Sequence, residues 1–509
     1  MTDMGAANAP FAGGKRILWL ISILGSVYFG FLVICSWTLF DLKPFGWQIY
    51  DAYYAAILDG RFDLPARVLR YEGHYTADGT GYLYHGVAPL LTRFAFGWAW
   101  PFETFPMNGF SIWFWAVVGT LGWQHVLVTL ARTAGVSADR RVLVLALCAA
   151  LWVAGPGPAL VINLSFYHEP IAVAFAMSGL FAAVWTRAAR GVTPMSVAVV
   201  LLAVCAMVAV HARPNVAIGL YAGVVLAIGH GLWRDRSAFL IPAIIAMGIL
   251  AAGGFGYLGL NALRFGDALI THGSYEGSRV VYGNVFWGIE TKDSIRAAAF
   301  EEHGRLNPLR VVPNAAFYLF DVPSASFLTG LSDSILGLYR AVTEPILGHI
   351  RVGGPRTGLV MLWPLWCLLA LFGIRAAWRD TQMAGLVAAV ALSAIVTLAY
   401  GTITFRYRLD LWPVIATLAL MGAVFCMRRE PGIAAKAWIV GLGTTAFIVG
   451  TATTTASVYK YASPLRERPG EYFEKWSEDA CLKRAAQIGL TVEQGTKTCR
   501  SHSSLEDAV

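Results

Sequence analysis

The sequence predicts an all-α membrane protein with about eleven transmembrane helices, and three observations carry that prediction. Apolar runs of about 20 residues, the length that a helix needs to cross a bilayer, recur along the 509 residues. Charged residues make up 14% of the chain, against about 25% in soluble domains, and the mean hydropathy is +0.58. The aromatic share of 13% suits a protein with many boundaries between membrane and water.

Each predicted span is an apolar run bounded by polar residues, Gly or Pro. The first run is too long for a signal peptide and lacks a small-residue cleavage site, so we expect it to remain as a helix. Two long connections, 41–108 and 261–356, separate groups of spans. The spans are placed near 17–40, 109–131, 142–162, 169–186, 195–211, 215–233, 238–260, 357–376, 383–400, 409–427 and 435–456.

The distribution of Lys and Arg over the short loops predicts the orientation of the chain. Fourteen of these residues fall on one side, and three, Arg213, Arg406 and Arg408, fall on the other. The richer side is expected to face the cytoplasm, which places the N-terminus inside and, after an odd number of spans, the C-terminal tail outside. Both long connections are then external. The net charge of +8 follows from cytoplasmic Arg and Lys, so we expect no nucleic-acid partner.

The cysteines give an independent indication of the same orientation. Cys481 and Cys499 lie in the polar tail that is placed outside, where the environment is oxidising, so we expect them to form a disulfide. Two free thiols are the alternative. We therefore divide the chain into a membrane module, 1–456, and an external tail, 457–509. The other cysteines fall inside predicted spans, where a thiol behaves as a small apolar residue: Cys35, Cys148, Cys205, Cys367 and Cys426.

The external connections contain the amphipathic stretches. A short amphipathic helix is predicted at 51–60, lying along the membrane surface. The stretch HGVAPLLTRFAFGWAWPF, residues 85–102, is broken by Pro, Gly and Arg, so we expect it to be re-entrant or interfacial rather than spanning. A further amphipathic stretch is predicted near 315–345.

Ionisable side chains gather on the predicted external face, whereas the cytoplasmic loops offer Arg and little else. An ionisable residue at the end of a span is costly and is therefore a candidate for function. The candidates, taken in chain order, are Asp51, Glu72, His74, Asp78, Tyr84, His85, His168, Glu169, His211, Arg213, Arg406, Arg408 and Asp410.

Each candidate also has a structural interpretation. Asp51 is a favoured residue for capping the helix that it precedes, and Glu169 stabilises the dipole at the start of its own helix. Arg213 and Arg406 are placed where a long side chain reaches the lipid headgroups. Because several such groups fall on one face, we favour function over these interpretations for the set as a whole.

This inventory suits the transfer of a group from a lipid-phosphate donor. Such a reaction needs a carboxylate that takes a proton from the attacking hydroxyl, and a positioned base contributes roughly 10²–10⁴-fold. It also needs Arg to neutralise the departing phosphate. Zinc-type Cys/His spacing, a P-loop and a Ser-His-Asp set are not found in the sequence. We expect no cofactor and no metal, and nothing in the sequence indicates a divalent ion.

Several short motifs resemble those of bacterial GT-C glycosyltransferases, the membrane-embedded class that uses polyprenyl-phosphate sugars. The resemblance implies that Asp51 is the catalytic base. It also implies that Glu169 contacts the substrate and that Arg406 or Arg408 binds the donor phosphate. The motifs are YDAYYAAILDGRFDL, EGHYTADGTGYLYHGVAPLL, FYHEPIAVAFAMSGLF, HARPN, LRFGDALITHGSYEG and FRYRLDLWPVIATLAL. They add, as residues expected to bind substrate or donor phosphate, Glu72, His74, Tyr84, His85, His168, Arg213 and Arg264.

Two departures from the class pattern bear on this expectation. Many members have two adjacent acids in the first loop, but Asp51 is followed by Ala52, so metal binding of the D-x-D or D-E kind is not expected. Several members have a large C-terminal soluble domain, and in this sequence we expect only the short tail, 457–509, at that place. The rivals of Asp51 for the role of base are Asp59, Glu72, Asp78 and Glu169.

The sequence thus predicts inverting glycosyl transfer at the external face of a bacterial inner membrane. The expected partners are a polyprenyl-phosphate sugar donor, a glycan, lipid or protein acceptor, and the membrane lipids. Two alternatives remain open. The nearer one is a lipid-linked polysaccharide polymerase or ligase. The other is a transporter or flippase, which would be expected to carry inverted repeats and ionisable residues near the midplane of the bilayer.

Overall fold

The computed structural model describes residues 14–38, 43–102, 105–275, 279–324, 328–428, 433–462, 466–467 and 476–500. Helices dominate these residues. The helices of the N-terminal half are α1 (Gly14–Thr38), α2 (Ile49–Leu58), α3 (Ala66–Leu69), α4 (Leu90–Phe96), α5 (Asn108–Thr133), α6 (Arg141–Val153), α7 (Gly157–Ile162), α8 (His168–Ala189), α9 (Met195–Val210), α10 (Pro214–Arg234) and α11 (Arg236–Phe265). The C-terminal half adds α12 (Gly283–Phe286), α13 (Ile295–His303), α14 (Val311–Phe320), α15 (Thr329–Leu347), α16 (Leu359–Leu362), α17 (Pro364–Ala377), α18 (Thr381–Leu398), α19 (Tyr407–Met427), α20 (Ile433–Ala462), α21 (Glu478–Gln487) and α22 (Val492–Cys499).

Eight helical segments among the described residues are long and apolar enough to cross a membrane, which confirms an α-helical, polytopic membrane fold. The helices α9 and α17 are apolar but shorter, and the last predicted span falls within α20. The span predicted at 357–376 is divided, because the chain leaves the helical conformation at Trp363 between α16 and α17. The eight segments are Gly14–Trp37, Asn108–Thr133, Ala138–Ile162, His168–Ala189, Pro214–Arg234, Arg236–Phe265, Thr381–Leu398 and Tyr407–Met427.

Local sequence explains where several of these helices begin and end. Helix α10 begins with Pro214, whose fixed φ and missing N–H suit the first helical position. The Asp235 side chain accepts a hydrogen bond from Ala238 N at 3.1 Å and caps α11, which ends at Gly266 in the left-handed conformation (φ 71°). Helices α5 and α8 approach so closely that a Cβ added to Gly179 would lie 2.6 Å from the carbonyl oxygen of Gly119.

Three small sheets, which the sequence does not predict, connect distant segments. The strands are β1 (Lys43–Pro44), β2 (His74–Thr76), β3 (Gly81–Tyr82), β4 (Val280–Tyr282), β5 (Arg351–Val352), β6 (Thr402–Ile403) and β7 (Arg466–Glu467). Strand β2 lies between β3 and β4, with His74 opposite both Tyr82 and Tyr282. The connections 41–108 and 261–356 therefore meet on one face of the helical bundle. We call it the loop face; which side of the membrane it occupies remains a prediction.

The amphipathic stretches fold much as the sequence predicts. Helix α2 begins two residues before the predicted helix, and it buries Tyr50, Asp51 and Tyr53 while Leu58 stays exposed. The broken stretch 85–102 forms the short helix α4 and does not span, with Trp98 84% exposed beside it. The stretch near 315–345 forms two helices, α14 and α15.

The predicted disulfide between Cys481 and Cys499 is confirmed, and it joins α21 to α22. This pair of helices packs on the loop face. Trp476 lies 5.3 Å from Trp287 between ring centroids, and the Thr498 hydroxyl donates a hydrogen bond to Gly79 O at 2.8 Å. The five other cysteines form no disulfide among the described residues, as expected for residues in or near spans. The division into a membrane module and an external tail remains a prediction.

Candidate functional site

A buried group of three charged side chains lies under the loop face. Arg93, from α4, donates from Nε to Asp51 Oδ1 at 2.9 Å and from Nη2 to Glu169 Oε1 at 3.2 Å. The second oxygen of Asp51 accepts a hydrogen bond from the backbone N of Met107 at 3.2 Å. Burial raises the pKa of the Asp51 carboxyl, and the charge of Arg93 opposes that rise. We call Asp51, Arg93 and Glu169 the buried triad.

The contacts of the buried triad are those of a structural group. Both oxygens of Asp51 are occupied by donors from the protein itself, and Arg93 and Glu169 are fully buried. A buried charge is tolerated when it is paired and hydrogen-bonded, as here. The triad joins α2, α4 and the start of α8, elements that are far apart in sequence.

A second charged group lies at the start of α19 and is differently organised. The Arg406 guanidinium lies 4.1 Å above the ring centroid of Tyr167 and 5.4 Å from that of Tyr407, and it is also beside Tyr461. Arg406 is partly exposed. Among the described residues, no carboxylate lies within ion-pair distance of it. An arginine surrounded by tyrosines and lacking a carboxylate partner has donors available for an anionic ligand.

Glu72 lies beside two of the tyrosines that surround Arg406, Tyr84 and Tyr167. It is partly exposed and neighbours Tyr84 and Tyr167. Burial, followed by the negative charge of Glu72, raises the pKa of both tyrosines well above the usual value. Within the described part of the chain, Glu72 forms no salt bridge. Its side chain accepts a hydrogen bond from the Tyr167 hydroxyl, whereas the two acids of the buried triad are paired with Arg93.

Nine aromatic rings connect these groups in a closed series. From Tyr84 the series runs to His85 (3.9 Å between centroids) and Tyr167 (5.4 Å), and Arg406 bridges Tyr167 to Tyr407. It continues through Tyr400 (5.8 Å), Phe300 (6.3 Å), Tyr275 (6.3 Å), Tyr282 (5.1 Å) and His74 (5.2 Å), and it returns to Tyr84 at 4.0 Å. We call this series the aromatic circuit. Five of its rings are partly exposed, so a ligand can reach it. The exposed rings are Tyr84, His85, Tyr282, Tyr400 and Tyr407, and the buried ones are His74, Tyr167, Tyr275 and Phe300.

The histidines of this region are held neutral by their surroundings. Burial, followed by the charges of Arg406 and Arg213, holds the pKa of His85 well below its usual value. Burial and nearby arginines lower the pKa of His272 to about 3. His74 accepts a hydrogen bond at Nδ1 from Gly273 N at 2.9 Å. Neutral imidazoles leave the positive charge of the site to its arginines.

The remaining arginines that the sequence singles out have protein partners. Arg213 forms an ion pair with Asp410, which also accepts a hydrogen bond from Asn215 at 3.1 Å. Buried Arg264 donates to the carbonyl oxygens of Leu83 at 2.7 Å and His85 at 3.3 Å, and so holds the loop that carries Tyr84.

Arg408 contacts different groups from those around Arg406. It donates from Nε to Thr357 O at 2.5 Å, and its nearest carboxylate, Asp321, is 4.0 Å away. We therefore leave Arg408 out of the candidate phosphate site. His168 is fully buried, with Nδ1 3.3 Å from the carbonyl oxygen of Leu160, which suits packing rather than substrate contact.

The other acids considered as bases lie elsewhere. Asp59 is exposed, and the nearest Arg61 nitrogen is 3.7 Å away. Asp78 forms an ion pair with Lys497 of α22 and accepts hydrogen bonds from Thr80, so it holds the C-terminal helices against the loop. Of the five acids proposed from sequence, only Glu72 adjoins the aromatic circuit without an ion pair among the described residues.

The sequence interpretation missed several residues of the site. Arg93 gives only a weak signal, a single charge in an otherwise apolar stretch, and its two partners are 42 and 76 positions away. His272 and Tyr282 lie in an irregular connection where no periodicity marks them. Among the described residues, no group of three or more His, Cys, Asp or Glu is arranged to hold a metal ion.

The sequence matches no protein-family model and no curated protein. A solved structure that matches is the oligosaccharyltransferase of Archaeoglobus fulgidus in its apo form, at 12% sequence identity and a TM-score of 0.48. The match covers 97% of this chain and 62% of that one. At this level of similarity we transfer no residue role from that enzyme to this chain.

Proposed function

We propose that this protein is a GT-C-like glycosyltransferase that moves a sugar from a polyprenyl-phosphate donor to a hydroxyl group of a glycan, lipid or protein. The observation that carries the proposal is the placement of Arg406. This partly exposed arginine has no carboxylate partner among the described residues, and it contacts Tyr167, whose hydroxyl donates a hydrogen bond to Glu72.

Arg406 is suited to bind the donor phosphate. A guanidinium offers several donors in a planar fork, and the hydrogen bonds that it makes to phosphate are among the stronger ones in proteins. Arg213, which precedes Pro214 of α10 and is paired with Asp410, lies 5.3 Å from the Tyr407 ring centroid, and its Nε has no hydrogen-bond partner among the described residues, so it offers a further donor. As the bond from the sugar to the phosphate breaks, the charge that develops on the leaving phosphate is stabilised by these donors.

The aromatic circuit is suited to bind the sugar. Rings such as Tyr84, stacked on His74 at 4.0 Å, present apolar faces against which a sugar ring can pack. Tyrosine hydroxyls and neutral imidazole nitrogens supply hydrogen-bond partners for sugar hydroxyls. The polyprenyl chain would lie along the apolar helices below the loop face, as the membrane lipids do.

Glu72 is better placed than Asp51 to act as the base. In the proposed step the Glu72 carboxylate takes the proton of the acceptor hydroxyl as that oxygen attacks C1 of the sugar. The bond from C1 to the phosphate oxygen breaks, C1 inverts, and polyprenyl phosphate leaves toward Arg406. Asp51 is ionically paired and buried, so its proposed role moves from base to positioning: with Arg93 it holds the loop face together.

Turnover on a panel of polyprenyl-phosphate sugars tests this proposal, with Glu72→Gln and Asp51→Asn measured beside the wild type. We expect release of polyprenyl phosphate from one donor, and a fall of roughly 10²–10⁴-fold in kcat for Glu72→Gln, since a base is removed. Folded Asp51→Asn should lose much less. Asp59→Asn, which alters an exposed acid, is the matched control and should retain wild-type turnover.

Two results would count against this reading. If Asp51→Asn instead shows the large fall in kcat and Glu72→Gln retains wild-type turnover, the base is Asp51, as the resemblance implies. If folded, lipid-bound protein releases polyprenyl phosphate from no donor, the transferase proposal is wrong and the polymerase or ligase is favoured.

The topology is part of the same proposal. We place the loop face outside, the N-terminus in the cytoplasm and the protein in a bacterial inner membrane. Protection of the C-terminal tail from protease in inverted vesicles tests this orientation.

A further inference from the structure

A second pair of arginines without carboxylate partners adjoins the aromatic circuit. Arg305 lies with its guanidinium 5.3 Å from the Tyr282 ring centroid, and it donates to Gly273 O at 2.6 Å. Arg296, on α13, lies 5.2 Å from the Phe300 ring, and its Nε has no hydrogen-bond partner. In the part of the chain that the structure describes, neither arginine forms an ion pair.

These two arginines contact other rings of the circuit than Arg406 does. Arg296 contacts Phe300, and one ring, Tyr400, lies between Phe300 and Tyr407 in the circuit. Arg406 bridges Tyr167 and Tyr407, whereas Arg305 contacts Tyr282. Between Tyr407 and Tyr282 the circuit passes through three further rings, and between Tyr167 and Tyr282 it also passes through three. The circuit therefore has arginines at two separate positions, Arg406 at Tyr167 and Tyr407, and the pair Arg296 and Arg305 at Phe300 and Tyr282.

The nearest acid does not neutralise this second end. Glu290 accepts hydrogen bonds from the Tyr275 hydroxyl at 3.1 Å and the Ser294 hydroxyl at 3.2 Å, and it is not within ion-pair distance of Arg296. His272, which packs 5.1 Å from Tyr84, experiences the charges of both Arg305 and Arg296. Two guanidinium groups near one engaged carboxylate leave an excess of positive charge.

We propose that Arg296 and Arg305 bind an anionic group, a phosphate or carboxylate, that the acceptor carries. This inference rests on the proposed function. With the donor phosphate at Arg406 and the sugar along the rings, the acceptor binds beside Phe300 and Tyr282, where these arginines lie. The acceptor would then be an anionic glycan or glycolipid, and the two arginines would exclude neutral hydroxyl compounds by leaving their own donors unsatisfied.

Binding of a phosphorylated monosaccharide tests this subsite without requiring turnover. Glucose 6-phosphate and glucose serve as probes, titrated into purified protein whose Arg406 end is filled with saturating undecaprenyl phosphate. We expect glucose 6-phosphate to bind the wild type at least 10-fold more tightly than glucose. Arg305→Gln and Arg296→Gln should each weaken its binding by about 10-fold, and the double variant by about 100-fold, since charge-assisted hydrogen bonds are lost.

Arg279→Gln is the matched control, because Arg279 is exposed and stands in the same connection, 3.7 Å from Asp267. It should bind the probe as the wild type does. If Arg305→Gln fails to fold because the bond to Gly273 is lost, Arg305→Lys keeps the charge and should retain most of the binding. Equal affinities in all the variants, or inorganic phosphate binding as tightly as glucose 6-phosphate, would overturn the acceptor subsite.

The two proposals fail in distinguishable ways. If glucose 6-phosphate binds through Arg296 and Arg305 but no donor is turned over, the glycosyl transfer is wrong and the anion subsite stands. If donors are turned over and the probe binds every variant alike, the transferase stands and the subsite is wrong.

Discussion

The buried triad and the Arg406 group both place an arginine beside tyrosines near the loop face. The two arginines differ in burial and in whether a carboxylate neutralises their charge. Arg93 is fully buried and divides its donors between Asp51 and Glu169. Arg406 is partly exposed and contacts rings rather than carboxylates. Removing one partner of a buried ion pair leaves an uncompensated buried charge, which destabilises the fold. A partly exposed arginine without a carboxylate partner can instead bind an anionic ligand. The first group therefore stabilises the fold and the second is fitted to bind.

The largest effect on stability is expected from breaking the buried triad. Arg93→Met leaves Asp51 and Glu169 as two buried acids without their cation, and the free energy of unfolding should fall by about 3–5 kcal/mol. The apparent melting temperature of the purified protein in detergent measures this loss. Arg340→Met is the control, because Arg340 forms an exposed pair with Glu344 at 3.7 Å, which is worth about 0–1 kcal/mol. Equal melting temperatures for the two variants would contradict the structural role of Arg93.

A smaller effect is expected from pH. The pKa of His272 in the folded protein is about 3, lowered by burial and by the neighbouring arginines, whereas an unfolded histidine titrates near 6.5. Between these values the unfolded chain binds the proton and the folded chain does not. The contribution of His272 to the free energy of unfolding is therefore fully present above about pH 6.5. It decreases as the pH falls below that value, by up to about 1.4 kcal/mol per pH unit.

Melting temperatures at pH 7.5 and pH 5 measure that dependence. The decrease on acidification should be smaller in His272→Gln than in the wild type, because one group that resists protonation is gone. An unchanged decrease would show that His272 takes up a proton in the folded state, and it would remove the positive environment that we assign to the arginines around it.

Much of the fold could be predicted because its signals are local. Apolar runs of sufficient length specify the spans wherever they occur, and the disulfide follows from two cysteines in one polar tail. The helical spacing of the apolar residues after Asp51 also predicts α2, in whose first turn Asp51 lies. Each of these signals lies within a few tens of residues of sequence.

The site was only partly predictable, because its contacts join residues that are distant in the chain. The loop carrying Glu72 and Tyr84 was marked by its unusual polar residues. The partner of Asp51, by contrast, is Arg93, and only folding brings the two together with Glu169. Arg305 and Tyr282 stand in an irregular connection where neither periodicity nor a motif distinguishes them from ordinary loop residues. A carboxylate that is paired looks the same in sequence as one that is free.

Binding of polyprenyl phosphate to Arg406→Gln and Arg279→Gln tests most directly the claim that the unpaired arginine is the phosphate site. Both substitutions remove one positive charge from the loop face, but only Arg406 lies in the aromatic circuit. We expect the affinity of Arg406→Gln for undecaprenyl phosphate to fall by about 10–100-fold, the loss of charge-assisted hydrogen bonds to a phosphate. Arg279→Gln should bind as the wild type does. Equal affinities in the two variants, with both proteins folded, would contradict the account.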